Sequence, residues 1–332
     1  MRTKATLKKI SQNLNLSIST VSRALKNHPD ISEETKRKVI ELAGLLEYEP
    51  NTHAINLRTN RSKVFGLMVP VISNYFYYSL IAAVEEDARR MGYTLLILQS
   101  GDDPLIEAEN LRLCRMNRVA GVFVSLAAGT KDISHFLKLD ELDIPVIFFD
   151  KVPAYEACNK ICLADSEAAR LAAETIIRKN RKKIFALFGN PELLITQKRL
   201  AAFKETIEST GEPIEMIIQH ASSSDEAFIQ TTRQFSQADR PDTIFTMSDE
   251  ILTGVMKALQ RKQVQVPDEV GVISICNDNF IPSLYFPEIT FVETSGRDLG
   301  KLAFKRMMDH LGGKTFLQEL TLPSRLISGG SL

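Results

Sequence analysis

The sequence predicts two architectures in one chain. A small all-α module spans 1–50, a connector spans 51–63, and an α/β core of two similar lobes, built from parallel sheets flanked by helices, occupies 64–332. Three observations predict this. The hydrophobic rhythm changes near residue 64, from helical spacing to alternating strand and helix lengths. The 332-residue chain is too long for one small core, and the ten or so strands its second part would hold exceed one compact sheet. The charge is also split. Residues 1–63 carry 12 Lys/Arg against 6 Asp/Glu, a net +6, and the remainder carries 29 against 35, a net −6. A basic head on an acidic body is the pattern of a polyanion-binding module attached to a non-binding domain. Charge by itself leaves nucleic acid and an incidentally basic surface equally open.

The first module contains three helices. Thr6 caps the first, whose Leu7, Ile10 and Leu14 recur at helical spacing. Asn15-Leu16 makes a tight turn. Ser17 then caps a second helix with Val21, Ala24 and Leu25 facing inward, and His28-Pro29-Asp30 ends it. Ser32 caps the third, with Glu33 and Glu34 matched to its positive end and Val39, Leu42, Ala43 and Leu46 on its apolar stripe. Pro50 stops the chain.

In the core, apolar runs of strand length fall at 64–69, 94–98, 121–126, 146–149, 184–188, 214–218, 243–246 and 270–276, with amphipathic stretches such as 80–91, 168–178 and 200–208 between them. Repeated βα units imply parallel sheets covered by helices on both faces. Ligands of such sheets bind beyond the carboxyl ends of the strands, here in the cleft between lobes.

Composition excludes several classes. Hydrophobic residues make 44% and charged residues 25% of the chain, ordinary for a globular protein. No apolar run nears the roughly 20 residues needed to span a bilayer, and no apolar stretch follows the N-terminal charges, so neither membrane insertion nor a secretory signal is expected. Cys114, Cys158, Cys162 and Cys276 are scattered and suit reduced thiols of the cytoplasm.

The most informative segment is Ser17-Ile-Ser-Thr-Val-Ser-Arg-Ala-Leu25. Ile18, Ser19, Thr20, Ser22 and Arg23 lie on its outer face. A helix entering the major groove needs short side chains for close approach, hydroxyls for phosphates and an Arg that reaches guanine O6 and N7. The same stretch taken alone suits an ordinary amphipathic helix of a three-helix bundle equally well. Its surroundings decide. Thr6-Leu-Lys-Lys-Ile10, the 17–25 segment, His28-Pro-Asp-Ile-Ser32, Tyr48-Glu-Pro-Asn51 and Leu57-Arg58 together resemble the headpiece of the LacI/GalR (lactose-repressor) family, and a weaker likeness continues to the C-terminus.

That resemblance implies a sequence-specific, DNA-binding transcription regulator, more often a repressor in this family, whose operator affinity a small molecule controls. It implies a helix-turn-helix headpiece and a periplasmic-binding-protein-like core, with lobes of about 64–163 plus 294–322 and 164–293 plus 323–332. It implies base contacts from Ile18, Ser19 and Arg23, phosphate contacts from Thr20, Ser22 and Ser32, and Thr6 and Ser17 at the same interface. Lys26 stands where the family usually has Asn. The segment from Pro50 to Arg58 resembles the family's hinge helix. Such a short helix is unstable alone, so it would order only when paired in the minor groove, with Asn51, Ala54 and Arg58 in contact and Leu57 wedged between base pairs. Without the headpiece the same stretch reads as a plain flexible linker; the headpiece before it reverses that preference. In the core, the resemblance points to Tyr75, Phe76, Asp165, Arg199, Asp249 and Asp278 as effector-binding residues. An Arg, several Asp and aromatics suit a polar, hydroxyl-bearing ligand such as a sugar, although each residue alone serves a structural role as readily. Leu322-Pro-Ser-Arg-Leu326 resembles the family's last strand. No leucine heptads follow, so a homodimer on a pseudo-palindromic operator is expected.

Other signals fail on inspection. Gly313-Lys-Thr315 imitates a phosphate-binding loop, but the required earlier Gly is Met308. Cys158 and Cys162 lack partners at metal-ligand spacing, so neither metal nor cofactor is expected. No catalytic motif appears. The basic run from Lys179 to Lys183 suits a solvated helix end. Two rivals remain, a sugar-binding capture protein and an enzyme on a similar fold. The first is disfavoured by the basic head in place of an export signal, the second by the missing motifs.

Overall fold

The structure, a computed structural model, describes residues 5–48, 62–155, 157–314 and 319–332. The chain divides into two compact units, 1–61 and 62–332.

Three helices make the first unit: α1 (Leu7–Leu14), α2 (Ile18–Leu25) and α3 (Glu33–Leu45). Each is capped as its sequence predicts. Thr6, Ser17 and Ser32 accept a backbone N–H from Lys9, Thr20 and Thr35, satisfying donors that the first turn leaves orphaned. Asn15 closes α1 in the left-handed region at φ 57°, which a short polar side chain tolerates. Ile10, Val21, Ala24, Val39 and Ala43 form the buried centre, with Leu7, Leu14, Leu25, Leu42 and Leu46 packed around it.

The second unit holds two six-stranded sheets. In the first lobe, β1 (Val64–Val69), β2 (Thr94–Gln99), β3 (Gly121–Val124), β4 (Val146–Phe149), β5 (Lys160–Leu163) and β11 (Glu319–Leu322) lie in the order β11-β5-β4-β3-β1-β2, every pair parallel. In the second, β6 (Lys183–Phe188), β7 (Glu215–His220), β8 (Thr243–Thr246), β9 (Gly271–Cys276), β10 (Thr290–Glu293) and β12 (Arg325–Ile327) lie in the order β12-β10-β9-β8-β6-β7. There only β10–β12 is antiparallel. Strands β3, β4, β8 and β9 are buried throughout, as expected of strands covered on both faces.

Helices α4 (Tyr75–Arg90), α5 (Pro104–Met116), α6 (Ser134–Leu137) and α11 (Gly296–Leu311) serve the first lobe; α7 (Asp165–Arg178), α8 (Leu194–Glu208), α9 (Ser224–Gln234) and α10 (Asp249–Lys262) serve the second. Helices α4 and α11 approach closely because Gly300 meets α4: a Cβ there would stand 2.7 Å from the Leu80 carbonyl oxygen. Among the described residues, no helix is long and apolar enough to cross a membrane.

The structure departs from the sequence reading in the strands. β5 and β10 lie outside the expected strands, because each is only four residues long with Lys, Thr or Glu at its ends. The expected strand over 121–126 ends at Val124, and the buried Ser125 hydroxyl that follows meets Tyr77 and Asp150. The expected single last strand around Leu322–Leu326 is two strands in different sheets. Pro323, which cannot donate to a ladder, and Ser324 lie between β11 and β12. The chain thus passes between lobes three times, after β5, after β10 and after β11.

Candidate nucleic-acid interface and ligand cleft

The first unit offers one outward face with the chemistry of groove recognition. Burying Val21 and Ala24 turns the opposite side of α2 to solvent. Ser17, Ile18, Ser19 and Arg23 are exposed, Thr20 and Ser22 half-buried. Ile18 is 49% exposed, a costly position for an apolar side chain with no partner. The Ser17 hydroxyl lies 2.7 Å from that of Ser19 and 2.8 Å from that of Thr20, so the start of α2 carries a preformed hydroxyl cluster. The Arg23 guanidinium, 59% exposed, stands 3.9 Å from Asp30. A surface pair of that length is worth under about 1 kcal/mol, so Asp30 orients Arg23 without holding it. Thr6 and Ser32, both exposed, cap α1 and α3, whose N-termini favour anions. The remaining residues expected at this interface, Asn51, Ala54, Leu57 and Arg58, lie outside the described residues.

In the second unit, a cleft of about 620 Å³ separates the lobes. It is lined at the carboxyl ends of strands, as open α/β sheets require: Ser73 and Asn74 after β1, Asp150 and Lys151 after β4, Asn190 after β6, Met247 to Asp249 after β8, and Asn277 after β9. Tyr75, Phe76, Arg199 and Asp249 of the expected residues line it, whereas Asp165 and Asp278 do not. Asp165 sits behind Arg199. Its Oδ1 accepts from Nε at 2.9 Å and forms an ion pair with Nη2 at 2.8 Å, and Nη1 donates to the Met247 carbonyl at 2.8 Å. Both side chains are about 5% exposed. Burial pushes the Asp165 carboxyl up, and the Arg199 charge opposes that push. Asp278 instead shapes the following loop, accepting from the Phe280 backbone at 2.8 Å and from the Asn277 amide at 3.1 Å.

Several groups that no local pattern marks are brought together by the fold. Asp150 and Asp102 both adopt left-handed backbone, at φ 57° and 59°. The Asp150 Oδ2 accepts from Tyr77 at 2.6 Å and Ser125 at 3.4 Å; its Oδ1 accepts from neither. Burial raises the Asp150 carboxyl, with the Tyr77 hydrogen bond opposing. Asp102 engages the Lys151 ammonium through both oxygens, at 2.9 and 3.2 Å. Asp249 accepts from the Asn277 backbone through Oδ2 at 2.8 Å, while its Oδ1 is buried without a hydrogen-bond partner. Burial pushes this carboxyl up to about 6, against the pull of that backbone hydrogen bond and of the Cys276 thiol beside it. No periodic signal could have singled out Asp102, Asp150 or Lys151, because they sit in loops where only the fold sets direction.

Among the described residues, contacts at the cleft join the lobes. The Tyr75 ring, from the first lobe, stacks on Phe280 of the second with centroids 5.0 Å apart. The Asn277 Oδ1, at the end of β9, accepts from the Gly296 backbone at 2.7 Å and from Ser79 at 3.0 Å. Gly296 is required there, since a Cβ would stand 2.6 Å from the Phe76 carbonyl oxygen.

A capped helix-turn-helix unit and a two-lobed α/β core with a ligand-sized cleft define the ligand-responsive DNA-binding regulators as a class. Residues 6–51 match the family model for bacterial regulatory proteins of the lacI family, and residues 173–332 match that for the periplasmic binding protein-like domain. The chain belongs to the LacI/GalR family of bacterial transcription regulators. It is 28% identical over 313 residues to the HTH-type transcriptional repressor PurR of Vibrio parahaemolyticus serotype O3:K6, with 93% of each chain covered. Its fold resembles the Lac repressor dimer bound to operator and the anti-inducer ONPF, with a TM-score of 0.88, 20% identity and 99% of each chain covered. The core resembles a periplasmic binding protein/LacI transcriptional regulator from Alkaliphilus metalliredigens QYMF complexed with D-xylulofuranose, with a TM-score of 0.69, 25% identity, and 81% of this chain and 99% of that one covered. The protein is a regulator, not an enzyme.

Proposed function

We propose that this chain is a cytoplasmic, nucleoid-associated repressor that binds a pseudo-palindromic operator as a homodimer and changes its grip when a sugar or related polar metabolite fills the cleft. We assign the headpiece to 1–50, the hinge to 51–63 and the effector core to 64–332. The observation that carries the reading is α2: its apolar side is buried, and Ser17, Ile18, Ser19 and Arg23 are presented outward from a capped start. Ile18, Ser19 and Arg23 read base edges; Thr6, Ser17, Thr20, Ser22 and Ser32 hold phosphates; and Asn51, Ala54, Leu57 and Arg58 engage the minor groove. Tyr75, Phe76, Arg199 and Asp249 meet the effector, with Asp165 and Asp278 supporting. The operator-bound and sugar-bound relatives supply the precedent for both partners.

The coupling follows from geometry. Two half-sites are occupied together only while paired cores hold the correct spacing. An effector that biases the lobe arrangement by about 1–3 kcal/mol therefore changes occupancy from a few-fold to over a hundredfold. Gel shifts of the full chain and of residues 61–332 against an operator found by selection test the reading. Binding confined to the full chain is expected, and equal binding by the truncated form overturns it. Arg23→Ala is expected to lower affinity for the operator by about 1–3 kcal/mol, with a much smaller loss on unrelated DNA.

A further inference from the structure

The charges of the cleft define which molecules it admits, given the reading of an effector-controlled regulator. Four lining residues are acidic (Asp102, Asp150, Asp249 and Glu250) and two are basic, Lys151 and Arg199. Both cations are already engaged. The Lys151 ammonium is held by the two oxygens of Asp102. Two of the Arg199 nitrogens meet Asp165, and the third donates to the Met247 carbonyl. An internally neutralised Arg still directs its remaining N–H groups at a hydroxyl or carbonyl oxygen, but it brings no net charge to meet a phosphate.

The acceptors are in the opposite condition. Asp249 has a buried oxygen with no hydrogen-bond partner, and a buried polar atom left in that state is expected to gain a donor. Across the cleft, the Tyr77 and Ser125 hydroxyls meet only Oδ2 of Asp150, not Oδ1. The two carboxylates stand on different lobes, Asp150 after β4 and Asp249 at the start of α10.

We propose that the cleft admits an effector without anionic groups, one that presents hydrogen-bond donors (hydroxyls, amides or an ammonium) to Asp150 and Asp249 from between the lobes, and that it turns away phosphorylated and carboxylated metabolites. The donors explain closure, because one molecule that satisfies both carboxylates ties the lobes together. The exclusion is electrostatic. An anion here meets the like charges of Asp150, Asp249 and Glu250, and both cations that would offset the repulsion are occupied.

The test uses the full chain and its selected operator. A deproteinised bacterial metabolite extract is passed over an anion exchanger, and the unretained fraction and the salt-eluted anions are assayed separately by operator gel shift and thermal shift. The unretained fraction is expected to change both readouts and the eluted anions neither. A response carried by the eluted anions overturns the proposal. If even the unfractionated extract changes neither readout, the reading of an effector-controlled regulator fails, and the proposal fails with it. Asp249→Asn and, independently, Asp150→Asn are each expected to raise at least tenfold the amount of the active fraction needed; an unchanged requirement in both overturns their role. Asp102→Asn, which releases Lys151, is expected to let the eluted anions act. Eluted anions that stay silent on this variant overturn the part given to the Lys151–Asp102 pair.

Discussion

At the residue scale, Ile18 makes the sharpest statement. An isoleucine left half-exposed on a helix of hydroxyls is matched in the major groove by one feature above others, the thymine methyl. Burying one methyl against it is worth about 0.8 kcal/mol. Replacing the facing thymine by uracil in both half-sites is therefore expected to weaken operator binding roughly tenfold, and Ile18→Ala should erase the difference, both read by fluorescence anisotropy. Asp249 gives a pH dependence. Its folded carboxyl titrates near 6, above the ordinary value, so the folded state favours the protonated form. The cost of keeping it charged is fully present above about pH 6 and is relieved as pH falls toward 4, at most about 3 kcal/mol. Thermal stability is expected to rise between pH 7 and pH 5 relative to Asp249→Asn; parallel curves for the two proteins would remove the effect. Both residues were visible in the sequence. What could not be read there was that Asp249 is buried with one oxygen unpartnered, since that depends on Asn277, 28 positions away.

At the scale of elements, legibility followed locality. The caps Thr6, Ser17 and Ser32 were readable because capping joins residues three apart. The core of the first unit was readable because helical spacing puts Ile10, Val21 and Val39 on inward stripes. A unit this small has little core to lose. Ile10→Ala, at a fully buried position, is expected to cost about 2–5 kcal/mol and to abolish operator binding, while calorimetry shows the main thermal transition of the core unmoved. The short strands behaved differently. β5, Lys160–Leu163, and β12, Arg325–Ile327, are strands because neighbours in the sheet pair with them, and four residues or fewer carry too little periodicity to announce that.

At the scale of the whole core, the two lobes are tied by three passages of the chain and by the Tyr75–Phe280 stack. Such a ring pair is worth about 0.5–1.5 kcal/mol beyond its buried area, enough to shift a two-state lobe equilibrium by up to about tenfold. Phe280→Ala is accordingly expected to populate a more open core, seen as a larger radius of gyration in solution scattering and as weaker effector affinity. Unchanged scattering with unchanged affinity would take the stack out of the closure.

Spacings of two to four residues carry the basic three-helix unit, the outer set Ile18, Ser19, Thr20, Ser22 and Arg23, and the repeated βα rhythm of the core; packing then leaves Ile18, Ser19 and Arg23 exposed and Thr20 and Ser22 half-buried. The assembled fold sets the rest: Asp165 neutralises Arg199, Lys151 belongs to Asp102, and Asp278 shapes the loop to Phe280 without lining the cleft. Those pairings join residues 34 and 49 positions apart. No local pattern determines which carboxylate meets which cation until the sheets have assembled and brought their loops to a common edge.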